Sequence, residues 1–242
     1  ARMISGVLFC ESLTTQSMDG ALKVMRESFF KTEPLCKVVG LLEEPGAAEE
    51  LLQTCYDAAK DGVSIVANNT STNEIVGVIF NKIQVLAPKG ESYYENLRKN
   101  CKHKAVKDFY DFTIEVETKA DVFKLYNANC LIEIMYIVTL PDYKKRNIGW
   151  LLTLSAERLG RQLCNGKNVK TPIDTDDGEM TNTDAVPTII TALGTSVYSQ
   201  KLGDKFGYDN VLEVKYDDYV INGKTISERI GDEHKTCRHL ID

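Results

Sequence analysis

The sequence predicts an α/β protein, a mixed sheet covered by helices. Three observations carry that prediction. Short apolar runs with strand character alternate along the chain with segments of helical period. Two of the strands, 63–67 and 75–83, face each other across a turn at Asn68–Asn73, as in a hairpin. A chain of 242 residues, 43% of them hydrophobic, can fill one core, and nothing between residues 20 and 165 reads as a linker.

Taken in order, residues 4–10 read as a strand and 17–30 as a helix ending on Phe29 and Phe30. Over 47–60, Leu51, Leu52, Cys55, Ala58 and Ala59 share one side of an amphipathic helix. After the hairpin, 92–126 is mostly helical and rich in Tyr, Lys and Glu. The run LIEIMYIV, bounded by Asn and Pro, marks a buried strand over 131–139. In 146–164, Ile148, Leu152, Ala156, Leu159 and Leu163 recur at helical spacing and leave Arg158 and Arg161 outside. Residues 166–184 are polar, acidic and turn-rich, a long loop whose acids lack EF-hand spacing. Strand 187–192, helix 196–205, strand 210–216 and a last strand at 234–241 complete the order.

Composition removes several classes of function. A net charge of −6 lacks the basic face of a nucleic-acid binder, and the basic runs at 102–104 and 144–146 are too short to supply one. No run of 18 apolar residues exists to cross a membrane, and residues 1–10 lack a signal-peptide core, so the expected compartment is the cytoplasm. Seven scattered cysteines without CxxC spacing read as free thiols, most of them packing as small hydrophobes. His103, His234 and His239 form no ligand pattern, and no metal is expected.

The most informative stretch is 139–159, where a strand opens into a helix through a short turn. Lys144, Lys145 and Arg146 stand at the helix start, where the helix already carries partial positive charge. Either they splay into solvent, or an anion lies among the free backbone N–H groups. Their order, Lys144-Lys145-Arg146-Asn147-Ile148-Gly149, resembles the Arg/Gln-x-x-Gly-x-Gly/Ala signature of the GNAT superfamily of acyl-CoA-dependent N-acetyltransferases, whose turn wraps the coenzyme A pyrophosphate. Lys144 stands for Arg or Gln and Asn147 for the first Gly; Asn enters tight left-handed turns cheaply. MRESFFKTEPL at 25–35 and GTSVYSQKLGDKFGY at 194–208 add a resemblance to the insect-type arylalkylamine N-acetyltransferases.

The resemblance implies one GNAT domain over 1–242, with a mixed, mostly antiparallel central sheet flanked by helices and splayed at its central strands. It implies acetyl-CoA as cosubstrate and a small primary amine, an arylalkylamine above all, as acceptor. Ile137, Val138 and Thr139 would offer a strand edge to the pantetheine arm, and Lys144, Lys145, Arg146, Asn147, Ile148 and Gly149 would hold the pyrophosphate. Glu33 would be the base: Pro34 biases it out of the helical region, and two phenylalanines nearby favour desolvation, which raises a carboxyl pKa. Thr195 and Ser199, four residues apart, match the two hydroxyl residues of the insect-type enzymes; capping by Thr195 or Ser196 is the other reading. The Tyr that many GNAT enzymes use as general acid is replaced by Gly203. Two alternatives remain open: acetylation of a protein N-terminus or lysine, and a catalytically silent acyl-CoA sensor.

Overall fold

The structure, a computed structural model, describes residues 3–5, 8–87, 92–171, 173 and 184–242. Strands β1 (Met3–Ser5) and β2 (Leu8–Ser12) lead into helix α1 (Thr15–Val24), which continues as a π-helical turn over Met25–Phe29. Short helices α2 (Phe30–Thr32) and α3 (Pro34–Val39) precede the long α4 (Ala47–Lys60) and strands β3 (Ile65–Asn69) and β4 (Glu74–Val85). Then come α5 (Tyr93–Asn100), α6 (Lys104–Lys119), α7 (Val122–Leu125), β5 (Cys130–Thr139) and α8 (Ile148–Cys164). The chain closes with β6 (Ile189–Gly194), α9 (Val197–Phe206), β7 (Asp209–Lys215), β8 (Val220–Ile221), β9 (Lys224–Thr225), α10 (Ile226–Ile230) and β10 (Thr236–Ile241). This is a mixed α/β architecture whose ladders are antiparallel in the register described below.

Two compact units organise the chain. The first comprises Ala1–Phe29, Leu52–Val85 and Asn129–Ile190. Here β1 to β5 lie in sequence order, each antiparallel to the next. Helix α8 packs on this sheet through Ile148, Leu152, Ala156, Leu159 and Leu163, the face its periodicity marks. Its first turn comes so close that a Cβ on Gly77 of β4 would lie 2.9 Å from Ile148 Cγ2. Tyr136 pairs with Phe80 but Ile134 with Asn81, so Met135 is an extra residue, a bulge that bends β5.

The same unit buries an ion cluster. Lys82 Nζ lies 3.1 Å from Asp57 and 3.2 Å from Asp61, and the fully buried Asp61 also accepts the Ile83 N–H at 2.7 Å. The charged Lys82 stays inside the protein because these carboxylates replace its water.

The second unit comprises Phe30–Leu51, Leu86–Ala128 and Thr191–Asp242. Its β10 pairs antiparallel with β6 on one side and β7 on the other. Helix α6 packs against α3 and α5 and sends Phe112 against Tyr216 and Tyr219.

Several boundaries differ from the sequence expectation. The 17–30 helix winds its second half as a π-turn. The 92–126 helix breaks after Asn100 and Lys119. The helix expected from 146 starts at Ile148, because Lys145 and Asn147 are left-handed. Helix α3 was legible in principle, as Glu33 caps it and Pro34 sits at its first position; its six residues are too few for a periodic signal. Of the expected 166–184 loop, residues 172 and 174–183 lie outside the described residues.

Asp61→Ala leaves Lys82 with the partly exposed Asp57 and takes the acceptor from the Ile83 N–H, so it should cost about 3 kcal/mol in urea unfolding. Lys82→Met leaves the fully buried Asp61 carboxylate without its cation and should cost about as much, whereas the double variant Lys82→Met/Asp61→Asn, which removes both charges, should cost clearly less.

Candidate active site

Glu33 forms its own local site. It caps α3 from an extended conformation, with Oε2 accepting the Cys36 N–H at 2.6 Å. The residue is only 8% exposed, and its other oxygen, Oε1, is buried with no hydrogen-bond partner among the described residues. Burial pushes its pKa above the ordinary 4.5, and the backbone of Cys36 and Leu35, the Cys36 thiol and the Thr195 hydroxyl pull it back only in part. A carboxylate held by one oxygen and left open at the other is arranged to receive a proton.

The Thr195 segment approaches that carboxylate within the second unit. Thr195 is the single residue between β6 and the N-cap of α9, which is Ser196. Ser196 and Ser199 form a reciprocal capping box: Ser199 N–H donates to Ser196 Oγ at 3.1 Å, and Ser196 N–H donates to Ser199 Oγ at 3.1 Å. The Ser199 hydroxyl also donates to the Ser196 carbonyl at 2.9 Å. Of the two hydroxyls marked in the sequence, Thr195 therefore lies near Glu33, while Ser199 is turned back into its own helix end. Gln200 Nε2 donates to the Gly194 carbonyl at 2.9 Å, and Val197 N–H donates to His234 Nδ1 at 3.3 Å. Both hold the segment in place.

The family resemblance implies a general-acid tyrosine where this chain has Gly203, a position packed close to Leu240. A Cβ there would come within 2.7 Å of Leu240 Cδ1. Tyr198 lies 66% exposed, with its hydroxyl on Glu233. A residue that sequence reasoning missed is Tyr216: it is fully buried, and its hydroxyl donates to the Thr195 carbonyl at 2.5 Å. An aromatic residue closing a strand gives no signal of such a contact in the sequence.

The other sequence-marked residues lie in the first unit. Leu140 N–H donates to the Val76 carbonyl at 2.9 Å, so Leu140 and Val76 are a hydrogen-bonded pair of the β4–β5 ladder. Antiparallel alternation then turns the amide and carbonyl of Val138 toward β4, and those of Ile137 and Thr139 toward the opposite edge. On that edge the Ser28 hydroxyl, from the π-turn, donates to the Thr139 carbonyl at 2.7 Å. The backbone of Ile137 and the Thr139 N–H keep the orientation a strand-like ligand would need.

Beyond β5, Lys145 (φ 62°) and Asn147 (φ 60°) are left-handed on either side of Arg146. Such alternation gathers backbone N–H groups into an anion-binding concavity. Asn147 caps α8 by position but gives no side-chain cap hydrogen bond, so that helix start has no side-chain acceptor from its cap. Arg146 is held 4.9 Å above the Tyr143 ring, and Tyr143 is fixed by Asn69 Nδ2 at 3.0 Å. Lys144, Lys145, Arg146 and Asn147 are exposed, Ile148 is buried and Gly149 is half-buried.

A cleft of about 300 Å³ lies along α6 and residues 218–222. Of its acids, Asp108 pairs with Lys104, Asp111 with Arg98 and Glu115 with Lys119. All seven cysteines are free thiols. Among the described residues no group of His, Cys, Asp and Glu could hold a metal ion, and no helix is long and apolar enough to cross a membrane.

No family model matches the chain. Its fold is shared with solved N-acetyltransferases and with a condensation domain. Arylalkylamine N-acetyltransferase 2 from Aedes aegypti is 22% identical, with a TM-score of 0.77 over 97% of this chain and 98% of that one. The Drosophila melanogaster polyamine N-acetyltransferase that forms N-acetylagmatine is 16% identical, with a TM-score of 0.74 over 97% and 99%. The C-terminal condensation domain of Ebony, solved with beta-alanyl-dopamine, is 14% identical, with a TM-score of 0.64 over 99% of each chain. The chain thus has the GNAT-type fold of these proteins. At such identities the likeness concerns the fold, and chemistry has to be argued from the site.

The capping geometry sets an expectation that separates three neighbours. Ser196→Ala should cost about 1 kcal/mol of stability, Ser199→Ala somewhat less, and Thr195→Ala the least, because Thr195 caps nothing. Urea denaturation of the three variants checks the order.

Proposed function

We propose that the chain is an acetyl-CoA-dependent N-acetyltransferase acting on a small primary amine, with residues 1–242 read as one catalytic domain. The observation that carries this reading is the buried, half-satisfied carboxylate of Glu33, in the frame where the insect-type enzymes have their catalytic glutamate. The fold shared with arylalkylamine and polyamine acetyltransferases agrees with it.

In this reading the turn Lys144–Gly149 and the free start of α8 take the pyrophosphate of acetyl-CoA. The Ile137 and Thr139 edge holds the pantetheine arm by backbone hydrogen bonds, which need no particular side chain, and Val138 contributes packing. Glu33 Oε1 removes a proton from the substrate ammonium through water. The free amine attacks the thioester carbonyl, the C–N bond forms, the C–S bond breaks, and the second proton that the nitrogen sheds passes through water to the departing CoA thiolate. Ser199, occupied by its capping box, is a poorer proton source than water, so water is assigned that role. Thr195 acts on Glu33 by favouring its charged form. An arylalkylamine is the preferred acceptor class, from the three matching sequence blocks.

Release of free CoA from acetyl-CoA, followed across a panel of arylalkylamines, polyamines and lysine peptides, tests the reading. Amine-dependent release with the small amines is expected, with a loss of about a hundredfold or more in Glu33→Gln and unchanged acetyl-CoA affinity. No release with any amine, or full activity of Glu33→Gln, would overturn it. Stability should move the other way. With its pKa raised in the fold, Glu33 keeps its proton where the unfolded chain has lost it, so stability falls as pH climbs from 4.5 through the raised value. Glu33→Gln removes that fall and should melt no lower than the parent at neutral pH.

A further inference from the structure

We propose that Tyr216 is a positioning residue of the acetyl-transfer site, clamping the Thr195 peptide so that the Thr195 hydroxyl faces the Glu33 carboxylate. The inference rests on the reading of Glu33 as base. It starts from the isolation of Thr195, which belongs neither to β6 nor to α9. Its N–H turns back to the Leu193 carbonyl at 3.1 Å, and its carbonyl accepts the Tyr216 hydroxyl at 2.5 Å. Both polar groups of the peptide are thereby fixed, and with them the direction of its Cα–Cβ bond.

Tyr216 is well built for a clamp. It is 0% exposed, its ring lies against Phe112 at 6.1 Å, and its own N–H donates to the Lys235 carbonyl at 2.9 Å. A carbonyl only accepts, so the Tyr216 proton lies on the Thr195 side. Burial, with the Glu33 carboxylate nearby, pushes the phenol pKa well above its ordinary value, which keeps it a donor at any working pH. The groups facing Glu33 are the Cys36 thiol and amide on α3, Thr195, Tyr216 and the buried Cys237 of β10. Burial holds both thiols protonated by raising their pKa values well above the ordinary thiol range. Glu33 is the group of this set whose ordinary pKa lies in the acid range, and burial raises it. Without the clamp, Thr195 can rotate off the carboxylate and Glu33 loses a partner that lowers its pKa.

The test is a pH profile of kcat/KM for Tyr216→Phe, Thr195→Ala and the double variant, each in the full chain with acetyl-CoA and the best amine of the panel. Tyr216→Phe should lower kcat between about tenfold and a hundredfold. It should move the acid limb to higher pH and leave acetyl-CoA affinity unchanged. Thr195→Ala should move the same limb the same way, and Tyr216→Phe should add no further shift in the Thr195→Ala background. An unmoved limb in Tyr216→Phe, or equal additive shifts in the double variant, would overturn the proposal. If Tyr216→Phe does not fold, Thr195→Ala decides: an unmoved limb there also overturns it. Full activity of Glu33→Gln would instead remove the reading of the site on which the proposal stands.

Discussion

Keeping a carboxylate inside a protein with one oxygen unsatisfied opposes folding, and the neighbourhood of Glu33 is arranged around that opposition. The backbone supplies the compensation. Pro34 starts α3, Glu33 caps it, and the Cys36 amide donates to the carboxylate from the helix start. Helix dipole and amide favour the charged form while burial disfavours it, and burial dominates. The result is a base strong enough to accept a proton and still anchored through its second oxygen. The thiols of Cys36 and Cys237 fill space around it without competing for charge, because burial keeps them protonated.

The second constraint is geometric and belongs to the first unit. Strain stored at Lys145 and Asn147, both non-glycine residues in left-handed geometry, shapes the turn before α8. Asn at the second position limits that strain, since its short polar side chain tolerates the conformation. Gly77 lets the start of α8 approach the sheet, and the π-turn brings the Ser28 hydroxyl to the end of β5. Each is a local departure from regular structure at a place the proposed chemistry uses, as expected where backbone geometry serves a ligand.

Much of the fold was legible because long periodic segments carry their own signal. The core face of α8 is the one its sequence spacing marks, and the hairpin of β3 and β4 follows from its strand runs and asparagine turn. What the sequence hid is cooperative. No local pattern reveals that Ser196 rather than Thr195 caps α9, or that Tyr216 reaches Thr195 across 21 residues. Glu33 and the 144–149 turn were identified by resemblance to a family motif; composition alone would have left the first an ordinary loop glutamate. The orientation of Ile137, Val138 and Thr139 needed the register of the ladder, fixed by the Leu140–Val76 pair, which cannot be counted from the sequence.

The central claim is that burial holds Glu33 as a base poised above the range of a solvated glutamate. Direct titration of its side-chain carboxyl by carbon NMR, with the Glu33→Gln variant to assign the signal, measures this without any assumption about substrate. A midpoint above 4.5 is expected. A midpoint at or below 4.5 would mean that the amide, the helix start and Thr195 outweigh burial, and would contradict the account.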